Sequence, residues 1–149
     1  MPRPGESDRI TSFLVHREVQ IAAVLDLVWD LQVRVNDWPS WQPGIETAAL
    51  DEAMVVGSHF QYSGGDTITT ATVDLVNPHT QLVWRAIDST AAGVHQWTFE
   101  RTSRGTRVTA TELFEHFHMV DDAARSPADV DDALGLWLQN LKAEAEART

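Results

Sequence analysis

The stretch "VHQWTFERTSRGTRVTATELFEHFH", residues 94–118, decides how the chain folds. Its first half alternates, with His95, Trp97 and Phe99 on one side and Val94, Gln96, Thr98 and Glu100 on the other. Alternation of period 2 is the mark of a strand with two different faces. "TSRG" (102–105) supplies turn chemistry, and alternation then resumes in the second half. There Val108, Ala110, Glu112, Phe114, His116 and His118 share one parity, against Arg107, Thr109, Thr111, Leu113, Glu115 and Phe117. Two strands joined this tightly are antiparallel neighbours. The aromatic set of the first and the Val108–Phe114 set of the second are expected to face inward, which carries Glu112 inward with them.

Working back toward the N-terminus, the same pattern repeats. "NPHT" (77–80) turns into "QLVWRAI", and "DSTAAG" (88–93) is read as the turn before "VHQWTFE". "GSHFQYSGGDTITTATVDLV" turns at Ser63-Gly64-Gly65-Asp66, a strong hairpin signal. Inward parity there takes Phe60 and Tyr62, then Leu82, Trp84 and Ala86. "FLVHREVQI" (13–21) reads as a further strand, with Arg17 disturbing its apolar row and pointing to a bulge or an edge. "AVLDLVWDLQVRV" (23–35) has helical spacing and runs into "NDWPSWQPG" (36–44), two tryptophans in a loop rich in proline.

The C-terminal segment differs. "SPADVDDALGLWLQNLKAEAEA" opens with Ser126 as N-cap and Pro127 at the first helical position. Leu134, Trp137, Leu138, Leu141 and Ala145 then form one apolar stripe. The order is strand, helical segment, a meander of about six strands, and a long amphipathic helix. That is an α+β plan in which a curved sheet wraps the last helix.

Composition sets limits on function. The 149 residues fit one domain, with 1–9 as a flexible arm and 10–149 folded. A net charge of −11 repels phosphate backbones and anionic membranes, which excludes nucleic acid as an expected partner. There is no cysteine, so thiolate metal sites and cysteine nucleophiles are excluded. No apolar run approaches a membrane span and the start is polar, so a cytoplasmic location without membrane insertion is expected. No Gly-rich phosphate loop, GxSxG elbow or nucleotide motif is present, and no cofactor is called for.

Four pieces of this sequence look familiar together. They are "VWDLQVRVNDWPSW" (28–41), "NPHTQLVW" (77–84), "GVHQWTFE" with "GTRVTATELFEHF" (93–100, 105–117) and "LQNLKAEAE" (138–146). The chain resembles the START-like SRPBCC superfamily, and within it the small bacterial polyketide cyclase/dehydratase-like proteins. Arg34 stands where such proteins often have an aspartate. The resemblance implies a helix-grip fold: a seven-stranded antiparallel sheet curled around the C-terminal helix, with an internal cavity between them. It implies uses from cyclising polyketide chains to holding lipids, sterols or quinones, and it leaves a homodimer open. It also makes Trp38 and Trp41 part of the wall or lid of the cavity, or else plugs at the sheet's edge.

The parities above then line the cavity with Phe60, Tyr62, Trp84, Trp97, Phe99 and Phe114, together with Glu112, His95 and His116. An apolar pocket with a few convergent polar groups is the usual form of a small-molecule site. Glu112, desolvated between Ala110 and Phe114, suits general acid or base work, or else it is a buried ion-pair partner of Arg17. His95 can relay protons, or be a core histidine with one hydrogen bond. The Tyr62 hydroxyl can hold a carbonyl or only fix packing. Glu112 and His116 are roughly 13 Å apart along a strand, too far to share a metal ion. Two functions compete on these residues. One is a cofactor-independent cyclase or dehydratase with Glu112, His95 and Tyr62 moving protons. The other is a carrier of a hydrophobic ligand.

Overall fold

The computed structural model describes residues 10–89, 91–117 and 126–149, and the side chains of all of these except Ile10, Thr11, His116 and Phe117. The expected N-terminal arm, His118 and the side chain of His116 therefore lie outside the described residues.

Seven strands form one antiparallel sheet in the order β1-β7-β6-β5-β4-β3-β2. β1 is Ile10–Ile21, β2 Thr47–Leu50, β3 His59–Gly64, β4 Thr67–Asn77, β5 Gln81–Ile87, β6 Ala91–Thr102 and β7 Gly105–Phe117. Only β1 breaks the meander, pairing with β7 along its whole length. Helix α1 (Leu25–Val33) and a 3-10 helix (Val35–Ser40) connect β1 to β2, and helix α2 (Pro127–Ala147) closes the fold. α2 starts as its sequence dictates: Ser126 and Asp129 make a reciprocal capping box and Pro127 occupies the first turn. No described helix is long and apolar enough to cross a membrane.

The expected inward parities are buried. Val108, Ala110, Glu112 and Phe114 of β7 are covered, as are Leu82, Trp84 and Ala86 of β5 and Trp97 and Phe99 of β6. Against this concave face α2 lays Val130, Leu134, Leu138, Leu141 and Ala145. Dense aliphatic contact of this kind is the main favourable term in the fold.

Two readings of the sequence are corrected, and a third is decided between its alternatives. β6 begins at Ala91, so Gly93 lies inside a strand rather than closing a turn. Arg17 marks no bulge, since the β1–β7 register is unbroken, but β1 is an edge strand of the sheet, the other position that residue pointed to. Its guanidinium reaches Asp131 at 3.1 Å, not Glu112, and crosses α2 at Gly135, where a Cβ would stand 2.7 to 2.9 Å from it. A helix-interior glycine is costly unless something needs the room, and here the arginine does.

The β6–β7 turn depends on Gly105, whose φ of 131° disfavours any side chain. A Cβ there would collide with the carbonyl oxygen of Ile21. Gly105→Ala is therefore expected to cost about 2–4 kcal/mol of stability, combining backbone strain with overpacking. Urea denaturation checks this, and an unchanged midpoint would contradict the account of the turn.

Candidate functional site: a cavity walled by indoles

A cavity of about 200 Å³ lies between the concave face and the N-terminal half of α2. Among the described residues it opens between the β5–β6 turn (Ile87, Asp88, Ala91) and the first turns of α2 (Asp129, Val130, Ala133). Its deep end is a circuit of four tryptophans. Ring centroids run 5.9 Å from Trp38 to Trp84, 5.6 Å to Trp97, 6.0 Å to Trp137 and 4.8 Å back to Trp38. Tilted and edge-on pairs at these distances are favourable and rigid.

Rigidity comes from the connections behind the wall. The Trp38 indole donates to the Gln32 carbonyl at 3.2 Å, and the Trp137 indole donates to the Gln32 side-chain oxygen at 2.9 Å. Gln42 donates to the Trp137 carbonyl at 3.2 Å and accepts from Asn140 at 3.0 Å. The loop with two tryptophans is thus tied to α2. Trp38 is fully buried and forms wall.

Three residues expected to line the cavity stand behind it instead, because another layer covers them. Trp41 packs against the outer side of Trp137, with centroids 6.0 Å apart. Phe60 lies under Trp38 and Trp84, edge-on to both at 5.6 and 5.1 Å. Phe99 is covered by Trp29 of α1 at 5.0 Å. Trp84, Trp97, Tyr62 and Phe114 do line it. Sequence parity missed Trp137, read only as helix stripe, and Gly93, read as turn.

Among the polar groups, Glu112 and His95 come together. The β6–β7 register makes them direct Cα partners, and Nε2 of His95 is 3.5 Å from Oε2 of Glu112. Their side chains are 15% and 11% exposed, so both are held away from bulk water but open to the cavity. The imidazole also stacks on Trp84 at 5.8 Å and 28°. A separation of 3.5 Å is longer than a good hydrogen bond and leaves each group able to reach a third partner. Tyr62 does not join them. It lines the cavity from β3, three strand spacings or roughly 14 Å away across the sheet.

A sheet that grips its last helix around such a cavity is the START-like, SRPBCC architecture. The family described as "Polyketide cyclase / dehydrase and lipid transport" matches residues 12–146, and the chain belongs to it. Among solved structures, the Zhui aromatase/cyclase from a Streptomyces species superposes with a TM-score of 0.78 at 20% identity, over 93% of this chain and 96% of that one. A START superfamily protein from Mycobacterium smegmatis gives 0.75 at 12% identity, over 91% and 99%. The di-domain ARO/CYC StfQ from the steffimycin biosynthetic pathway gives 0.68 at 16% identity, over 93% of this chain and 51% of its own. At these identities the likeness shows the fold. No curated protein matches the sequence.

Proposed function

We propose that the protein is a cofactor-independent cyclase or dehydratase that acts on a hydrophobic, polyketide-like molecule. The observation that carries this reading is the Glu112–His95 pair, 3.5 Å apart at the side of an apolar cavity. Family membership supports the same kind of chemistry. In the proposed reaction the Glu112 carboxylate takes the proton from a carbon between two carbonyls. The enolate so formed attacks a second carbonyl, making a carbon–carbon bond and an alkoxide. Protonated His95 gives the alkoxide its proton, and the proton on Glu112 restores the imidazolium. Loss of water from the resulting β-hydroxy ketone uses the same two groups in the same roles, Glu112 taking the α proton and protonated His95 giving its proton to the leaving hydroxyl. Tyr62, across the cavity, holds a more distant carbonyl. The four indoles fold the chain and exclude water, which lowers the barrier by orientation.

The apolar wall equally suits a carrier, and the family's own description includes lipid transport. Product analysis separates the two readings. Purified protein mixed with a short poly-β-ketone thioester is expected to accelerate ring closure or water loss. A saturable complex with no acceleration would favour the carrier.

Charge narrows the ligand. Glu112, Asp88 and Asp129 line the cavity, and no lysine or arginine does among the described residues. A carboxylate entering this field meets three carboxylates against the single imidazole of His95, with no lysine or arginine in the described wall to balance them. Uncharged 2-naphthol should therefore bind about tenfold or more tightly than 2-naphthoate at neutral pH. Quenching of tryptophan emission measures both, and equal affinities would contradict the electrostatic reading.

A further inference from the structure

Rows of Cα partners run across the sheet, and two of them set the shape of the cavity. One row is Val73, Trp84, His95, Glu112 and Val15, which holds the proposed proton-transfer pair. The adjacent row, nearer the mouth, is Phe60, Ala71, Ala86, Gly93, Phe114 and Phe13. Its middle has almost no side chain, while aromatic residues stand at both ends. Ala86 and Gly93 both line the cavity.

Gly93 has no conformational reason to be glycine. Gly57, Gly65 and Gly105 take positive φ, but Gly93 does not. Glycine in a strand interior weakens the strand, and it marks places where a ligand or another backbone approaches closely. A Cβ at this position would stand 3.3 Å from Oε2 of Glu112, 3.3 Å from the Leu113 carbonyl oxygen and 3.7 Å from Nε2 of His95. One methyl group would thus occupy the space beside both groups of the pair and press on the carboxylate.

We propose that Gly93 is the specificity-determining residue of this cavity, its missing side chain opening a slot in which a flat ring lies beside Glu112 and His95. This rests on reading the cavity as a ligand site. The volume sets the size of what enters. A cavity of roughly 150 Å³ takes up one benzene ring. At about 200 Å³ this one encloses a leading ring and part of a second, and the rest of a longer chain stays in the mouth beside Asp88 and Asp129. The ligand class is therefore a molecule with a planar, uncharged leading end of one or two rings. A puckered saturated ring of the same carbon skeleton is too thick for the slot.

The test uses the full chain and three probes: phenol, 2-naphthol and decahydro-2-naphthol, the last with the naphthol skeleton but not flat. Affinities come from tryptophan quenching, and thermal melts verify the fold of each variant. Wild-type protein is expected to prefer 2-naphthol over its saturated counterpart. Gly93→Ala is expected to weaken 2-naphthol binding about 10- to 200-fold, the range that one extra carbon commands in a pocket. Phenol, which fits the remaining volume, should change little. Val94→Ala, on the outer face of the same strand, should change nothing. If Gly93→Ala does not fold, Ala86→Val places its extra carbons on the same floor and should give the same selective loss. Unchanged 2-naphthol affinity in the folded variant would overturn the assignment of Gly93, as would an equal loss for phenol and 2-naphthol. Wild-type protein that binds none of the probes would overturn the cavity reading and this inference together.

Discussion

Glu112→Gln is expected to lower turnover about 10²–10⁴-fold while leaving ligand affinity nearly unchanged. Glutamine keeps the shape of the side chain and a polar group facing His95, but it cannot accept the substrate proton. His95→Gln should fall by a similar factor, because among the described residues it is His95 that stands 3.5 Å from Glu112 to receive its proton. The two residues act as one unit, so the double variant should lose little more than either single one. Rates of ring closure on the poly-β-ketone probe, measured beside 2-naphthol affinity, check all three. Wild-type turnover in Glu112→Gln would assign the carboxylate to structure and leave the indole wall to act by folding the substrate alone.

A chain ending at Pro127 is expected to lose cooperative folding altogether. α2 buries Val130, Leu134, Leu138 and Leu141, all 5% exposed or less. Each such side chain contributes roughly 1.5–3 kcal/mol, so together they reach most of the 5–15 kcal/mol by which a domain is stable. Removing the helix would also open the concave face, with Trp97, Ala110 and Phe114 exposed to water. The single variant Leu141→Ala grades the same effect at about 2–5 kcal/mol, since the residue is fully buried. A cooperative melt of the truncated chain near the full-length temperature would contradict the role given to α2.

Much of this was legible in the sequence, for identifiable reasons. The inward set of β7 could be read because the strand is 13 residues long, enough for alternation to show. The pairing of His95 with Glu112 follows from the same segment. A tight turn with Thr102 opposite Gly105 fixes the register, and the partners then count outward from it. The stripe of α2 and its capping box are equally local. β2 escaped a separate reading because four residues cannot display a period.

Parity alone could not say which inward residues remain uncovered. Phe99 and Phe60 face the concave side as expected, but Trp29 of α1 covers the first and Trp38 of the 3-10 helix covers the second. Among the described residues the cavity opens near α2's first turns. Gly93 misled for a different reason: "DSTAAG" has the composition of a turn, yet Asp88 already closes it, its Oδ1 accepting from the Ala91 N–H and its own N–H donating to the Ala91 carbonyl. Arg17 disturbed the apolar row of β1 because its partners, Asp131 and the space at Gly135, lie more than 100 residues away.

The central claim is that a flat, uncharged molecule occupies the cavity with an oxygen against the Glu112–His95 pair. A crystal structure of the protein grown with 2-naphthol tests it most directly. The account predicts density for the rings over Ala86 and Gly93, with the hydroxyl within hydrogen-bond distance of Glu112 or His95. Density only on the outer face of the sheet, or a cavity filled by its own side chains in the presence of saturating ligand, would contradict it.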